Sequence, residues 1–376
     1  MRFTISRKPF YTAVSAVSKV INAKNSLSIL DNFLCTLAGD TLTVTGADMD
    51  NELSAHVDVA DSDGDTKFCL PARRLVELLK ELPDTSLVIE MNDQTFEVLI
   101  KYPGGQYNMM AISGMEYPVY RADDDDNAPM EFDITAESLL QGLDYTIFAV
   151  GDDDYRPMMK GVLFDIKPDR MIYVATDTHK LVRFTDHRVA PGIEASCIVP
   201  VKPANILRNI VSKDEKVHVS MTRKSATLTT EKMVFRCSFL NGRFPPYERV
   251  IPTQSPFTLT FDRVATLNAV RRVAIFVDPG HGLEKFKITP EHLEIKSDDN
   301  GMGTAAREVV PCGFDGPETV IGFSAPFLIE FLGIIPTDEV VVELADPSRA
   351  GVFTPAENIE GTELVMLLMP MNVDKF

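Results

Sequence analysis

The phrase that opens the chain, Phe3-Thr4-Ile5-Ser6, returns as Phe132-Asp133-Ile134-Thr135 and again as Phe257-Thr258-Leu259-Thr260. Each step is the length of a whole domain, and each copy precedes a segment with helical spacing. Other landmarks recur in the same order. Thr45-Gly46-Ala47-Asp48 answers to Val174-Ala175-Thr176-Asp177 and, more faintly, to Ile295-Lys296-Ser297-Asp298. Phe68-Cys69-Leu70-Pro71-Ala72 answers to Cys197-Ile198-Val199-Pro200-Val201 and Ile321-Gly322-Phe323-Ser324-Ala325; Tyr117-Pro118 answers to Phe244-Pro245 and Met369-Pro370. A repeat this long means three similar domains in tandem rather than a solenoid. The boundaries are expected at 1–127, 128–252 and 253–376. The polar stretch Arg121–Pro129 and the segment Ile251–Pro256 are the junctions.

Within each third the order reads strand, helix, strands, helix, strands. The first unit carries stripes Phe10, Ala13, Val14, Val17, Val20, Ile21 and Leu75, Leu78, Leu79, Leu82. The second carries Leu139, Leu140, Leu143, Ile147 and Ile206, Leu207, Ile210, Val211; the third carries Phe327, Leu328, Phe331, Leu332, Ile335. The i, i+3, i+4, i+7 spacing predicts amphipathic helices. The helix expected over 262–276 is patterned less cleanly. Thr41–Thr45 alternates as a half-buried strand does, and Leu87–Met91 is more continuously apolar. The fold class is α+β, two amphipathic helices laid on sheets in each third.

With 45% hydrophobic and 24% charged residues, the composition is that of a soluble globular protein. There is no apolar run of membrane-spanning length and no signal peptide, so a cytoplasmic location and no membrane partner are expected. Cys35, Cys69, Cys197, Cys237 and Cys312 are scattered, without metal-site spacing, and read as reduced core thiols. No phosphate-cradling loop, zincin helix or nucleophile elbow is present, so no cofactor and no metal are expected. Asp177-Thr178-His179-Lys180 is the one tight acid–histidine cluster. A hydrolase or transferase built on it lacks a nucleophile nearby; a strand-end turn or a binding-site wall accounts for it better.

The net charge of −18 argues against nucleic acid until the cations are located. Lys8, Lys19, Lys24, Arg73, Arg74, Lys80, Lys202, Arg208, Arg263, Arg271 and Arg272 fall on or beside helices. The acid gathers elsewhere, at Asp58, Asp61, Asp63, Asp65, at Asp123–Asp126 and at Asp152–Asp154. One surface is thus suited to a polyanion, although solvated helix faces account for the same pattern. With no base-reading device and no Trp, any contact to nucleic acid should be to phosphate. Two segments stay open. Gly242-Arg243-Phe244-Pro245-Pro246-Tyr247 reads equally as a structural turn or a binding edge. The terminal Met369-Pro370-Met371 reads as core cover or as the wall of an adaptable pocket.

Taken together, these residues resemble the bacterial DNA polymerase III β subunits, the sliding clamps, over essentially the whole chain. The specific marks are Leu27–Asn32, Phe148-Ala149-Val150, Arg156, Gly161–Phe164, Ala175–Leu181, Asn241–Pro245, Gly322-Phe323-Ser324 and Met369-Pro370-Met371. The resemblance implies antiparallel sheets, and a head-to-tail homodimer closing a six-domain ring around double-stranded DNA. Helices would line the hole and sheets the outside. It implies DNA-facing residues at Lys24, Arg73, Arg74, Tyr155, Arg156 and Lys202, and a dimer contact of Arg74 and Tyr107 against Ile275 and Phe276. It implies a pocket for short peptides of the replicative polymerase, the clamp loader and repair proteins. The matching residues are Met159, Thr176, Thr178, His179, Lys180, Leu181, Pro245, Arg249, Val250, Phe327, Met369, Pro370 and Met371. Such a chain is not an enzyme. A peptide-binding scaffold that does not encircle DNA is the alternative. Thr178 stands where the family usually has Gly, Lys180 and Asn372 where it usually has Arg, and the chain runs on through Asp374-Lys375-Phe376. One reading folds Phe376 back into the pocket.

Overall fold

The computed structural model describes residues 1–118, 128–252, 254–278, 282–299, 303–373 and 376. Among them are six α-helices: α1 (Arg7–Val17), α2 (Ala72–Glu81), α3 (Ala136–Thr146), α4 (Val201–Ile210), α5 (Arg263–Val273) and α6 (Ala325–Ile334). Each is entered directly from a strand. At α1, α3 and α5 the first helical N–H bonds a distant carbonyl in the same way: Arg7 to Thr85, Ala136 to Glu215, Arg263 to Asp338. At α1 and α5 the side chain repeats as well. The Arg7 guanidinium donates to the Leu79 and Lys80 carbonyls at the end of α2, at 2.6 and 2.7 Å. Arg263 donates to Leu332 in the last turn of α6 and to Thr337 just past it. Both arginines thereby satisfy carbonyls that a helix end leaves without partners.

These equivalences correct the sequence alignment of the third repeat. Ser6, Thr135 and Asp262 each precede a helix, so Leu259, not Phe257, is the counterpart of Phe3. A slip of two along a strand keeps every side chain on its own face, which is why the alternation concealed it. The second landmark slips by one. Gly46 lies close under the Val17 carbonyl that ends α1, and the residue holding that place under α5 is Ser297, whose hydroxyl donates to Val273 O at 3.0 Å. Ser297, not Lys296, is therefore the counterpart of Gly46. Met369 is likewise no counterpart of Tyr117 and Phe244. It follows its strand at once, whereas they come after a loop. The strand-to-helix passages at Pro71-Ala72, Pro200-Val201 and Ser324-Ala325 correspond as expected. Most of the linker Arg121–Pro129 lies outside the described residues, as do Thr253 of the second junction and Asp374-Lys375.

The helical stripes face the core. Phe10, Val14 and Val17 of α1, Leu75 and Leu79 of α2, and Leu328, Phe331 and Leu332 of α6 are buried, each side chain contributing about 1.5–3 kcal/mol. α5 buries Thr266 and Ala269 beside Leu267, Val270 and Val273, which explains its blurred pattern. The cysteines lie on strands; burial pushes the Cys69 thiol up to about 11 and Cys237 to about 12.

The chain forms two compact units, Met1–Leu140 with Lys202–Phe239, and Gln141–Val201 with Leu240–Phe376. Each holds one antiparallel sheet, of 13 strands in the first unit and 12 in the second. Each contains one joint between consecutive repeats. In the first unit, Asn51–Ala60 of repeat one pairs with Met233–Ser238 of repeat two, with Leu53 opposite Phe235. In the second unit, Lys180–Asp186 of repeat two pairs with Thr362–Leu368 of repeat three, with Val182 opposite Met366. All four of these side chains are buried. Met233–Ser238 and Thr362–Leu368 close their repeats, and the corresponding closing strand of repeat one is Gly105–Met110. It lies at the margin of its sheet, with no strand beyond it among the described residues. The strand of repeat three that corresponds to Asn51–Ala60 is Thr304–Phe314. On its outer side it is paired only at Cys312–Phe314, so Thr304–Pro311 also presents a free edge among the described residues.

Candidate functional site

A hairpin turn in the second unit gathers most of the expected peptide-pocket residues. Asp177 closes it: Oδ1 accepts the His179 and Lys180 N–H groups at 2.9 and 2.8 Å. Asp48 closes the matching hairpin of repeat one by the same two bonds, to Asp50 and Asn51. The Thr176 hydroxyl donates to Lys180 O at 2.7 Å and accepts from Thr178 N. Thr178 itself is exposed and has φ +81°, in the left-handed region that a β-branched residue rarely adopts. A glycine would sit there without strain.

Around the turn, the His179 carbonyl accepts the Met369 N–H at 2.8 Å, which pins the terminal segment, and the His179 ring stacks near Phe327 at 6.5 Å. Lys180 is buried. Its ammonium lies 2.6 Å from Glu330, 3.6 Å from Asp177 and 4.1 Å from the Phe327 ring centroid, with Phe148 at 5.8 Å. A buried ammonium needs such a set of partners. Glu330 and Phe148 were not foreseen as site residues. They lie far from Lys180 in sequence, and only the fold brings them together.

Leu181 is buried in a cluster with Phe244, Tyr247, Val352, Val365 and Leu367, against which Met158 and Ile251 pack. Phe244 and Tyr247 bracket Pro245. The turn they anchor exposes Arg249 and Val250, the latter 57% exposed. The segment Gly242–Tyr247 is thus structural at its aromatics and open at its far end. The Tyr247 hydroxyl donates to Asp165 at 2.8 Å, and its pKa is raised by burial first and by that carboxylate second. Met159 lies beside the hairpin, since Gly151 is close to both Met159 and Asp177. Met371 pairs with Gly322, whose missing side chain leaves room for Val373. Met369 is 45% exposed. The Phe376 ring lies 5.7 Å from Lys296 Nζ, a contact outside the expected pocket set.

The expected DNA-facing residues divide. Lys24, Tyr155 and Arg156 are exposed in loops, Tyr155 at 95%. Arg73 on α2 is exposed and pairs with Glu77 at 2.9 Å. Lys202 is engaged instead: its ammonium bonds the Val20 carbonyl, Asn22 and the Asp48 carboxylate. It therefore holds the loop that leads to Lys24. Arg74 lies with Leu78, Gln106, Tyr107, Asn108 and Met109 around a hollow of about 450 Å³ beside the open edge strand. Ile275 and Phe276 are 77% and 40% exposed just past α5.

Comparison with known proteins identifies the family. The N-terminal, central and C-terminal domain profiles of the DNA polymerase III beta subunit match residues 1–121, 133–246 and 248–372. A beta sliding clamp of Pseudomonas aeruginosa is 26% identical over 368 residues, covering 97% of this chain and 99% of that one. One from Haemophilus influenzae is 23% identical, covering 99% and 100%. The crystal structure of a P. aeruginosa DNA polymerase sliding clamp superposes with a TM-score of 0.91 at 26% identity over 99% of this chain and 100% of that one. A P. aeruginosa clamp bound to griselimycin gives 0.92 at the same identity and coverage. With three domain profiles matched in order along nearly its whole length, the chain belongs to the DNA polymerase III beta subunit family.

Proposed function

We propose that the protein is a DNA sliding clamp. It acts as a non-catalytic ring that encircles duplex DNA without reading sequence and tethers the replicative polymerase, the clamp loader and repair proteins through their peptides. The observation that carries this is the repeated joint. Repeats one and two, and repeats two and three, meet by pairing one kind of strand with another, and one strand of each kind is left over. Gly105–Met110 belongs to the first repeat and Thr304–Pro311 to the third, so on this reading they pair between copies. An interface with two different faces closes into a ring when the rotation allows it. The register of the two internal joints sets Tyr107 opposite Ala306, the counterparts of Phe235 with Leu53 and of Met366 with Val182. Arg74 then belongs to this contact, and Ile275 and Phe276 supply exposed apolar surface to it. The three domains are 1–127, 128–252 and 253–376.

Lys24, Arg73 and Arg156 offer cations to phosphate, with Tyr155 next to Arg156 in the chain, and Lys202 shapes the loop of Lys24. Phosphate contacts carry no sequence information, so sliding is permitted. The hairpin 176–181, the turn at Pro245–Val250, Phe327 and Met369–Met371 form the peptide pocket, with apolar walls and few polar groups.

The test is topological. Protein loaded on circular nicked DNA should stay bound and should leave when the circle is linearised; equal loss from both would refute encirclement. Sedimentation of Phe276→Asp should show monomers where the wild type is dimeric.

A further inference from the structure

The corner where the hairpin meets α6 carries one cation and two carboxylates. The Lys180 ammonium is 5% exposed and enclosed by Phe327 and Phe148. Asp177 is 17% exposed, with Oδ1 occupied by two backbone N–H groups and Oδ2 3.6 Å from the ammonium. Glu330 binds the ammonium at 2.6 Å through Oε2, yet its side chain is 41% exposed. The charges sum to minus one, and the group facing solvent is a carboxylate. The one cation of this trio, Lys180, is already paired and turned inward. Beside this corner run the exposed Met369, hydrogen-bonded to His179, and the His179 ring against Phe327.

We infer that Glu330 sets the charge preference of the peptide pocket, so that the segments it takes carry a lysine or arginine beside their apolar anchors and not an aspartate or glutamate. This rests on the pocket reading given above and adds a partner chemistry to it. A cation on the ligand meets the free lone pairs of Glu330. An anion meets a carboxylate that Lys180 cannot fully neutralise, because the Asp177 carboxylate is also beside it. A partly exposed pair contributes modestly, and the expected discrimination between lysine and glutamine at the facing position is about three- to fivefold.

The experiment measures fluorescence anisotropy of short acetylated peptides bearing Leu and Phe anchors. Lys, Gln or Glu is placed in turn at each flanking position, against the full-length protein at low and high salt. At one flanking position affinity should fall in the order Lys, Gln, Glu. The differences should shrink at high salt and vanish in Glu330→Gln. Salt dependence in the wild type keeps the test valid should that variant fold poorly. Equal affinity for all three peptides, a preference for Glu, or a Lys preference that Glu330→Gln leaves unchanged would overturn the assignment while leaving the pocket in place. Absence of binding by every peptide, or binding untouched by Val250→Asp and Met369→Asp, would overturn the pocket and the assignment together.

Discussion

Glu284 sits on the strand Leu283–Ile288 with its side chain turned into the core, fully buried, and neither oxygen has a hydrogen-bond partner among the described residues. Repeat symmetry makes the position unusual. Glu284 pairs with Phe323 as Phe33 pairs with Leu70 and Val162 with Val199, each one residue inside the strand-to-helix passage. Phe33 and Val162 are apolar; the third repeat has placed an acid in the same slot. Burial raises its pKa from the ordinary 4.5 to about 8, with no charge nearby to oppose it. The folded state therefore holds a proton that the unfolded state releases between those two values. Stability is full below the lower value and is lost as pH rises towards 8, at about 1.4 kcal/mol per pH unit. Between pH 5.5 and 8 the loss is about 3 kcal/mol on this slope. Glu284→Val restores the chemistry of repeat two. Urea unfolding of wild type and variant at pH 5.5 and 8.5 isolates the effect, because every other titrating group contributes equally to both. The variant's advantage should widen by about 3 kcal/mol at the higher pH. Parallel pH curves for the two proteins would refute the reasoning, since they would mean that Glu284 is solvated or paired.

Thr178→Gly should raise the melting temperature by about 2–4 °C. Release from the left-handed region is worth about 1–2 kcal/mol, partly offset by the freer unfolded chain. An unchanged or lower melting temperature would show that the turn carries no strain. Gly322→Ala should loosen the terminal segment, because the added carbon would lie 2.6 Å from Val373 and 2.9 Å from the Met371 carbonyl. Hydrogen exchange at the Met371 N–H, bonded to Gly322 at 2.8 Å, should accelerate. Lys202→Ala should lower stability by about 1–2 kcal/mol by leaving the Asp48 carboxylate without its cation. Lys24→Ala should leave the melting temperature unchanged, and both should weaken DNA retention.

How much of this was legible follows from what each signal encodes. The stripes through Phe10–Val17, Leu75–Leu79 and Leu328–Leu332 faced the core as their spacing required. Pro71-Ala72 and Pro200-Val201 marked the passages from strand to helix because proline donates nothing to a ladder. Repeat three was harder. Its opening strand slips by two without changing face, and its helix α5 buries a threonine and an alanine where hydrophobicity was sought. The inward position of Glu284 could be read from parity, since it alternates with Phe286 and Ile288. Residue type alone would have turned it outward. The strand-end turn at Asp177–Lys180 was legible as a unit. The partnership of Lys180 with Glu330 was not, because an ion pair between distant segments leaves no local pattern.

The two joints within the chain and the one proposed between copies are built from different side chains, and the difference bears on how such a ring would open. Inside the chain, Leu53 with Phe235 and Val182 with Met366 fill their joints with large apolar groups on both strands. At the joint proposed between copies the same position would hold Tyr107, 37% exposed, against Ala306. Facing Tyr107, Ala306 offers less apolar surface than Leu53 or Val182 offers at the same place, and apolar burial is the main source of cohesion. The backbone ladder is the same in kind at all three, so the side chains decide which joint yields first. A clamp that must open to admit a closed circle of DNA needs one joint weaker than the others. Placing an alanine on one side of the proposed joint, which no peptide chain spans, would favour opening there while each subunit stays intact.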